Sequence, residues 1–587
     1  MPIVCEKTFR EDFDSLWPDQ SLPQISRKPS PLVDIILAVC IQYATNFMPR
    51  NDGVYSKKTD FGDQDASIAG VRYYHRCQAA LAEDPENLSV SALQCYIFSV
   101  IYLYNASFVN MAYNTLGLAI RVAYSLGIDR EPPKNLSQTE QELRRRIWWS
   151  LYFLDIKFCI ELGRPWAVQP SQIFCHLPVD SKEMAQFSGA RFFCPLEDIS
   201  WLSFHVQSIK LIAAARSVYT TFYGVSAESI GLSHPKSIYE DAKAIESYAE
   251  TLNQCAEPLR AWRRDLPEGL KTLRTGSGEP LSIDRTPLDL DIYAPSWLLR
   301  QRISLELLYH GIFLTLYRPF ICFSPLAAAS TPLADNHARS FLYHAMATTS
   351  IVHQVLTETD VLNGWYEAYH FEWNAMLSMI GFCLAYPVCL PTPGAREMLE
   401  TAIQVFEIFG TNFSTAASAA RTTRDLKAKA QSLTDRFRTD PALSTSQGNQ
   451  KPDSQGEKAA AEFGGGEIMK LRNFPLTPET STTGNLSIVM EQEKPTSDAM
   501  SLVDPLRLEF SEANADLWAG YANDLENWSN NAGPEVFGTA GESGNLDLSL
   551  FEPTEALEPL GILDPSEVFE PSGVSETAGM LQTSEVS

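Results

Sequence analysis

The sequence predicts an all-α protein: a large multi-helix body followed by a disordered acidic C-terminal tail. Three observations carry this. Apolar residues recur at three- and four-residue spacing through most of residues 31–440. No region sustains the period-two alternation of half-buried strands. After Asp440 the composition changes and the apolar periodicity stops. At 587 residues the chain exceeds one typical core, so more than one unit is expected.

Residues 1–30 hold Pro18, Pro23 and Pro29 among polar residues and read as an N-terminal arm. Helical pattern starts at Pro31, where Ile35, Ile36, Val39 and Tyr43 share a side, and continues through 64–83, 88–106, 108–127 and 138–161. Within 108–127, Ala112, Leu116, Ile120 and Ala123 form one apolar face, and Gly127 ends the run. Ser137 with Glu140 is a capping-box signature for the next helix. On that helix Glu140–Arg144 and Glu142–Arg146 are expected to pair on an exposed face, opposite a stripe of Ile147, Leu151 and Leu154. Residues 170–196 read as irregular because Pro170, Pro178 and Pro195 interrupt them. Helices resume over 197–223 and 235–265, a proline- and glycine-rich loop covers 267–295, and a strongly apolar helix spans 296–318. Further helices fit 337–358, 365–386 and 395–436, so 31–440 is taken as one helical regulatory domain.

Beyond it, 441–499 is a Ser/Thr/Gly/Pro-rich linker expected to be disordered. In 500–587 bulky apolar residues recur among carboxylates, among them Leu517, Trp518, Leu525, Trp528, Phe537, Phe551 and Phe569. Charge repulsion keeps such a segment open and its aromatic groups available to a partner groove, the composition of an activation segment. The alternative is an acidic tail that only aids solubility.

The net charge is −26, of which residues 441–587 carry −19 and the first 440 residues −7. Both parts oppose unaided binding to a phosphate backbone. The eleven cysteines show no Cys-x-x-Cys spacing, so no metal cluster is expected, and they read as small hydrophobes in a reducing compartment. Residues 87–120 lack charge, but Gln94, Asn105, Asn110 and Asn114 break any apolar run of membrane-spanning length. The sequence holds no Gly-x-Ser-x-Gly, no phosphate-binding glycine loop and no His-Glu-x-x-His, so no catalytic or cofactor-binding residue is assigned. His344 with His353, and His370 with Glu372, read as core or surface residues rather than metal ligands. Arg144, Arg145 and Arg146 read as local ion-pair partners whose stems cover Trp148 and Trp149, rather than as a DNA contact. One of these tryptophans is expected in the core and the other at a second contact surface. Asp155, between Leu154 and Ile156, is expected to be buried with Arg121 or Arg164 as its partner.

Three phrases in order carry a resemblance. They are Leu116, Gly117, Ala119, Arg121, Ala123, Leu126 and Gly127; then Arg145, Arg146, Trp148, Trp149 and Asp155; then Gly163, Arg164 and Pro165. With LYRPF at 316–320, they resemble the fungal-specific transcription factor domain, the helical region that follows a binuclear zinc cluster in fungal regulators. The likeness covers residues 30–330. It implies a nuclear transcription regulator, an activator by its tail, whose helical domain answers to a small-molecule effector or partner and whose tail meets the transcription machinery. The family's six-cysteine zinc cluster is not in this sequence, so zinc and direct DNA contact are expected only through such a cluster. A chain lacking its first coding segment, a regulator that reaches DNA through a partner, and a competitor that has lost DNA binding all fit. From a different class, a helical small-molecule-binding or enzymatic domain with no DNA role is the alternative.

Overall fold

The computed structural model describes residues 2–17, 27–47 and 65–439, apart from 84, 87, 170, 172, 190–193, 195, 232–238, 240, 292 and 324–330. The linker and tail expectations, including Leu517, Trp518, Leu525, Trp528, Phe537, Phe551 and Phe569, lie outside the described residues. Described residues form α-helices and short 3-10 helices joined by turns and by longer loops before α8 and α11, with isolated bridges at Arg130–Phe174 and Arg274–Leu288 and no strand among them. The all-α reading of the body holds.

The first helix, α1 (Glu6–Ser15), lies inside the stretch read as an arm. Just before it Ile3 is fully buried, and its carbonyl accepts from the Gln94 amide. Then come α2 (Pro31–Ala44), α3 (Val71–Glu83), α4 (Val90–Asn105) and α5 (Val109–Ser125), with α2 packed on both α3 and α4, and α4 on α5. Next are α6 (Gln138–Leu162), the short α7 (Lys182–Gln186) and α8 (Ser203–Gly231). The helix expected over 235–265 is two, α9 (Ala242–Cys255) and α10 (Glu257–Asp265), because Pro258 has no N–H for the carbonyl four residues back. After them come α11 (Ser296–Tyr317), α12 (Pro332–Glu358) and α13 (Tyr366–Ala385). The single helix expected over 395–436 is also two, α14 (Thr392–Gly410) and α15 (Ser414–Thr439), folded back on each other.

One apolar cluster runs from Ile3 to Ala430, so the described helices share a core. Helices α6, α11 and α13 are buried on nearly every face, the position expected of helices that are apolar all round. Several helix starts are capped by distant residues. The Glu246 carboxylate accepts from the N–H groups of Leu333 (2.9 Å) and Ala334 (3.1 Å) at the start of α12. Asp65 does the same for Ser414 at the start of α15, at 3.0 Å. The 267–295 loop is pinned through Glu306 of α11, 1% exposed, which accepts from Arg274, Thr272 and the Leu281 N–H.

His310, His344 and His370 are core residues, and His353 is half-buried. His344 meets His310 at 2.8 Å between ring nitrogens, and His370 Nε2 lies 3.1 Å from the Tyr104 carbonyl. Glu372 is separate from both: it accepts from the Thr349 hydroxyl at 2.9 Å, while its other oxygen has no partner among the described residues. Burial pushes its carboxyl up to about 8, from an ordinary 4.5. The folded state therefore keeps a proton between pH 4.5 and 8 that the unfolded chain releases, so stability falls as pH rises through that window. The shift corresponds to on the order of 5 kcal/mol. Glu372→Gln should gain stability over the parent progressively from pH 5 to 9 in thermal melts. A difference that does not change with pH would show that Glu372 is not held neutral.

Candidate functional site

The end of α5 and the whole of α6 hold the signature residues. Helix α5 stops where Gly127 takes φ +63, the left-handed conformation a helix terminus favours. Three turns of polar chain later, Ser137 and Glu140 make the expected reciprocal capping box, and α6 runs 25 residues to Gly163 at φ +62. Trp148 is fully buried, edge-on to Tyr124 at 5.5 Å, and its N–H finds no acceptor among the described residues. Trp149 is also buried, and donates to the His176 carbonyl at 2.8 Å. The second tryptophan thus seats the 173–189 segment, which carries α7, and does not form an open contact surface.

Three expectations on α6 need correction. Glu142 and Arg146 do pair, at 3.3 Å, but both are buried, because residues 173–189 fold over this face. Glu142 also accepts from the Val179 N–H at 2.9 Å, and Arg146 donates to Ser188 Oγ at 2.8 Å and the Met184 carbonyl at 3.0 Å. Glu140 is held in the cap by Ser137 rather than bonded to Arg144. Arg145 turns away from the indoles to bridge Glu131 and Glu142. The aromatic faces of Tyr152 and Trp166 are covered instead by Arg216 of α8.

Asp155 is buried as expected, at 2% exposure, but neither Arg121 nor Arg164 reaches it. It accepts from the backbone N–H groups of Val168 (2.9 Å) and Ala167 (3.2 Å), with the Cys159 thiol at 3.7 Å. Burial pushes its carboxyl up, and those N–H groups together with the Arg216 charge offset part of the push. Arg121 is exposed on α5, and Arg164 lies over Tyr113, 4.6 Å from the ring centre, and bonds Asn110. The Pro165 carbonyl accepts from Cys159 and Tyr113. Gly163 lets the chain reverse, and Asp155 catches it four residues later. Nothing in the structure explains Gly117, whose missing Cβ would face open space. In the later phrase, the Pro319 carbonyl accepts from Tyr239 and the Phe320 carbonyl from Tyr386, so it too is packed.

Sequence reasoning missed a second set. Lys157, its side chain 3% exposed, places its ammonium 3.0 Å from Glu161, 3.2 Å from Glu367 and 3.0 Å from the Tyr104 hydroxyl. Burial works against this charge, yet Glu161, Tyr104 and Glu367 outweigh it and hold the lysine well above its ordinary range. Lys157 and Glu161 line a small cleft of about 30 Å³ between α6, α8, α11 and α13. The available signal was a Lys–Glu pair four apart inside an otherwise apolar helix run. No group of three metal-ligating side chains occurs among the described residues, and no described helix is long and apolar enough to cross a membrane.

Trp148, Trp149 and Asp155 are packed inside the fold. Trp148→Ala should cost about 3–5 kcal/mol of stability. Asp155→Ala, which strands the buried N–H of Val168 and the part-buried one of Ala167, should cost on the order of 3 kcal/mol, and Asp155→Asn less because one acceptor oxygen remains. Denaturant melts check both. Parent-like melts with a loss of regulatory function would assign these residues to a contact surface.

Comparison with known proteins agrees with this placement. The fungal-specific transcription factor domain matches residues 1–263. The chain is 39% identical over 439 residues to the terreic acid cluster-specific transcription factor of Aspergillus terreus, covering 73% of this chain and 65% of that protein. It is 36% identical over 440 residues to a transcription factor of Emericella nidulans, covering 74% and 76% respectively. An oosporein cluster regulator of Beauveria bassiana is 26% identical over 354 residues, 54% of this chain and 44% of that protein. With 36% identity over three quarters of the Emericella factor, the chain belongs to the fungal-specific transcription factor domain family.

Proposed function

We propose that this chain regulates transcription in the nucleus and is dedicated to one cluster of genes. The observation that carries the reading is the 39% identity to a factor named as cluster-specific, supported by the likeness to an oosporein cluster regulator. In this reading residues 31–440 are a regulatory domain that answers to an effector or partner, 441–499 a linker, and 500–587 an activation segment that meets the transcription machinery. DNA is reached through a zinc cluster or a partner, since the described body offers no unpaired basic stripe: Arg145, Arg146, Arg274 and Arg424 all face carboxylates. No catalytic role is assigned.

The activation reading rests on composition. About twenty carboxylates beyond residue 490, against Lys494 and Arg507, hold the segment expanded and keep its aromatic groups apart. Leu517, Tyr521 and Leu525 are spaced at four and share a face if 515–528 fold on a partner's apolar groove. Coupled folding keeps each contact weak, so the clusters should add. Residues 500–570 tethered to an unrelated DNA-binding domain should activate a reporter. Replacing Trp518, Leu525, Trp528, Phe551 and Phe569 with Ala preserves every charge and should remove most of that activity. A silent parent tail, or an unaffected variant, would leave only a solubility role.

A further inference from the structure

We propose that the outward face of α5 is an interface at which two copies of this chain pair, their α5 helices antiparallel about a two-fold axis between Gly117 and Leu118. Gly117 supplies the starting observation. It stands in the middle of a 17-residue helix, where glycine is a poor helix former. A Cβ built on it meets nothing within 4 Å, so nothing in its own chain requires so small a residue. A second backbone closing on the helix at this point does require it. The surroundings suit such an approach. Met111 and Leu118 are 49% and 47% exposed, and Asn114, Arg121 and Ser125 are exposed on the same side of the helix. Arg121 is the one charged side chain of α5, and residues 87–120 hold none.

Charge selects the occupant and its direction. The chain carries −26, so two copies repel each other wherever their carboxylates meet. The α5 helix has no carboxylate and can lie against its own copy without that cost. Asn114 and Arg121 occupy the middle of the face, seven residues apart. Parallel helices would set Arg121 directly against Arg121 of the second copy. Antiparallel helices centred between Gly117 and Leu118 instead set each Arg121 opposite Asn114 of the second copy. The two guanidinium groups then stand about 10 Å apart along the axis, about one Debye length. Neither Asn114 nor Arg121 has a side-chain partner among the described residues, so the guanidinium can donate to the amide oxygen across the axis. On one side of the axis Leu118 meets Leu118 of the second copy. On the other, Gly117 meets Gly117 of the second copy, and the missing side chains let the backbones close. Met111 comes beside Ser125 of the second copy. Each residue of the face finds a suited partner in the same face, the self-complementarity that a two-fold contact requires.

Sedimentation velocity of the full chain tests this. One helix pair is smaller than a standard interface, so a monomer–dimer equilibrium is expected, with a dissociation constant of about 1–100 µM. Gly117→Leu blocks the close approach and should weaken association about tenfold or more. Its melting temperature should not fall, because no neighbour crowds the site within one chain. Asn114→Glu should tighten association about three- to tenfold at low salt by facing Arg121 of the second copy, and lose that gain at high salt. This gain decides the matter if Gly117→Leu does not fold. Met111 should be shielded from oxidation by peroxide in proportion to the dimer present. A chain that stays monomeric well above that concentration range, or a folded variant that associates like the parent, would overturn the pairing. So would shielding of Met111 in the monomer, which would give the face to the chain's own tail. The reporter activity of the tail has no bearing on these outcomes.

Discussion

A charged group inside a helix core is tolerated only when its partners are buried with it, and α6 carries four such groups. Glu142, Arg146, Asp155 and Lys157 are each at most 4% exposed. Each is satisfied by a different part of the chain. Glu142 and Arg146 bind the backbone of residues 179 and 184 and so draw the 173–189 segment over the helix. Asp155 receives Ala167 and Val168 and sets the direction in which the chain leaves α6. Lys157 reaches Tyr104 on α4 and Glu367 in the first turn of α13, tying both helices to α6. Removing any one partner leaves a polar group with no water to take its place, which is why these contacts fix geometry more firmly than the apolar packing around them.

The same constraint explains how an arginine- and tryptophan-rich phrase belongs to a fold rather than to a nucleic-acid surface. Arg145 and Arg146 have carboxylate partners, and both indoles are buried. What a regulator of this family offers to other molecules then has to lie elsewhere.

Much of the fold was legible because local signals act locally. The Ser137–Glu140 box, Gly127 and Gly163 mark helix ends through interactions within a few residues, and each end stands where its signal put it. Periodicity gave most helices, but it does not mark where one helix ends and the next begins. Pro258 inside 242–265 and the turn at 411–413 separate helices whose apolar patterns run on across the break. Partners of buried charges were the least legible. Asp155 suggested an arginine, but a backbone N–H serves equally well and leaves no residue type to search for. The caps of α12 by Glu246 and of α15 by Asp65 are hidden for a related reason, since their donors and acceptors are far apart in sequence. Lys157 was passed over because its four-residue spacing to Glu161 looks like an ordinary surface pair, and only Glu367 and Tyr104, distant in sequence, reveal it as interior.

That buried carboxylates of α6 direct the chain around it is tested most directly by amide hydrogen exchange at residues 163–169. The N–H groups of Ala167 and Val168 bond Asp155 and should exchange orders of magnitude more slowly than their neighbour Trp166, at a rate comparable to the interior of α6. In Asp155→Ala that protection should vanish while α6 itself stays protected. Exchange of Ala167 and Val168 in the parent at the rate of an open loop would contradict it.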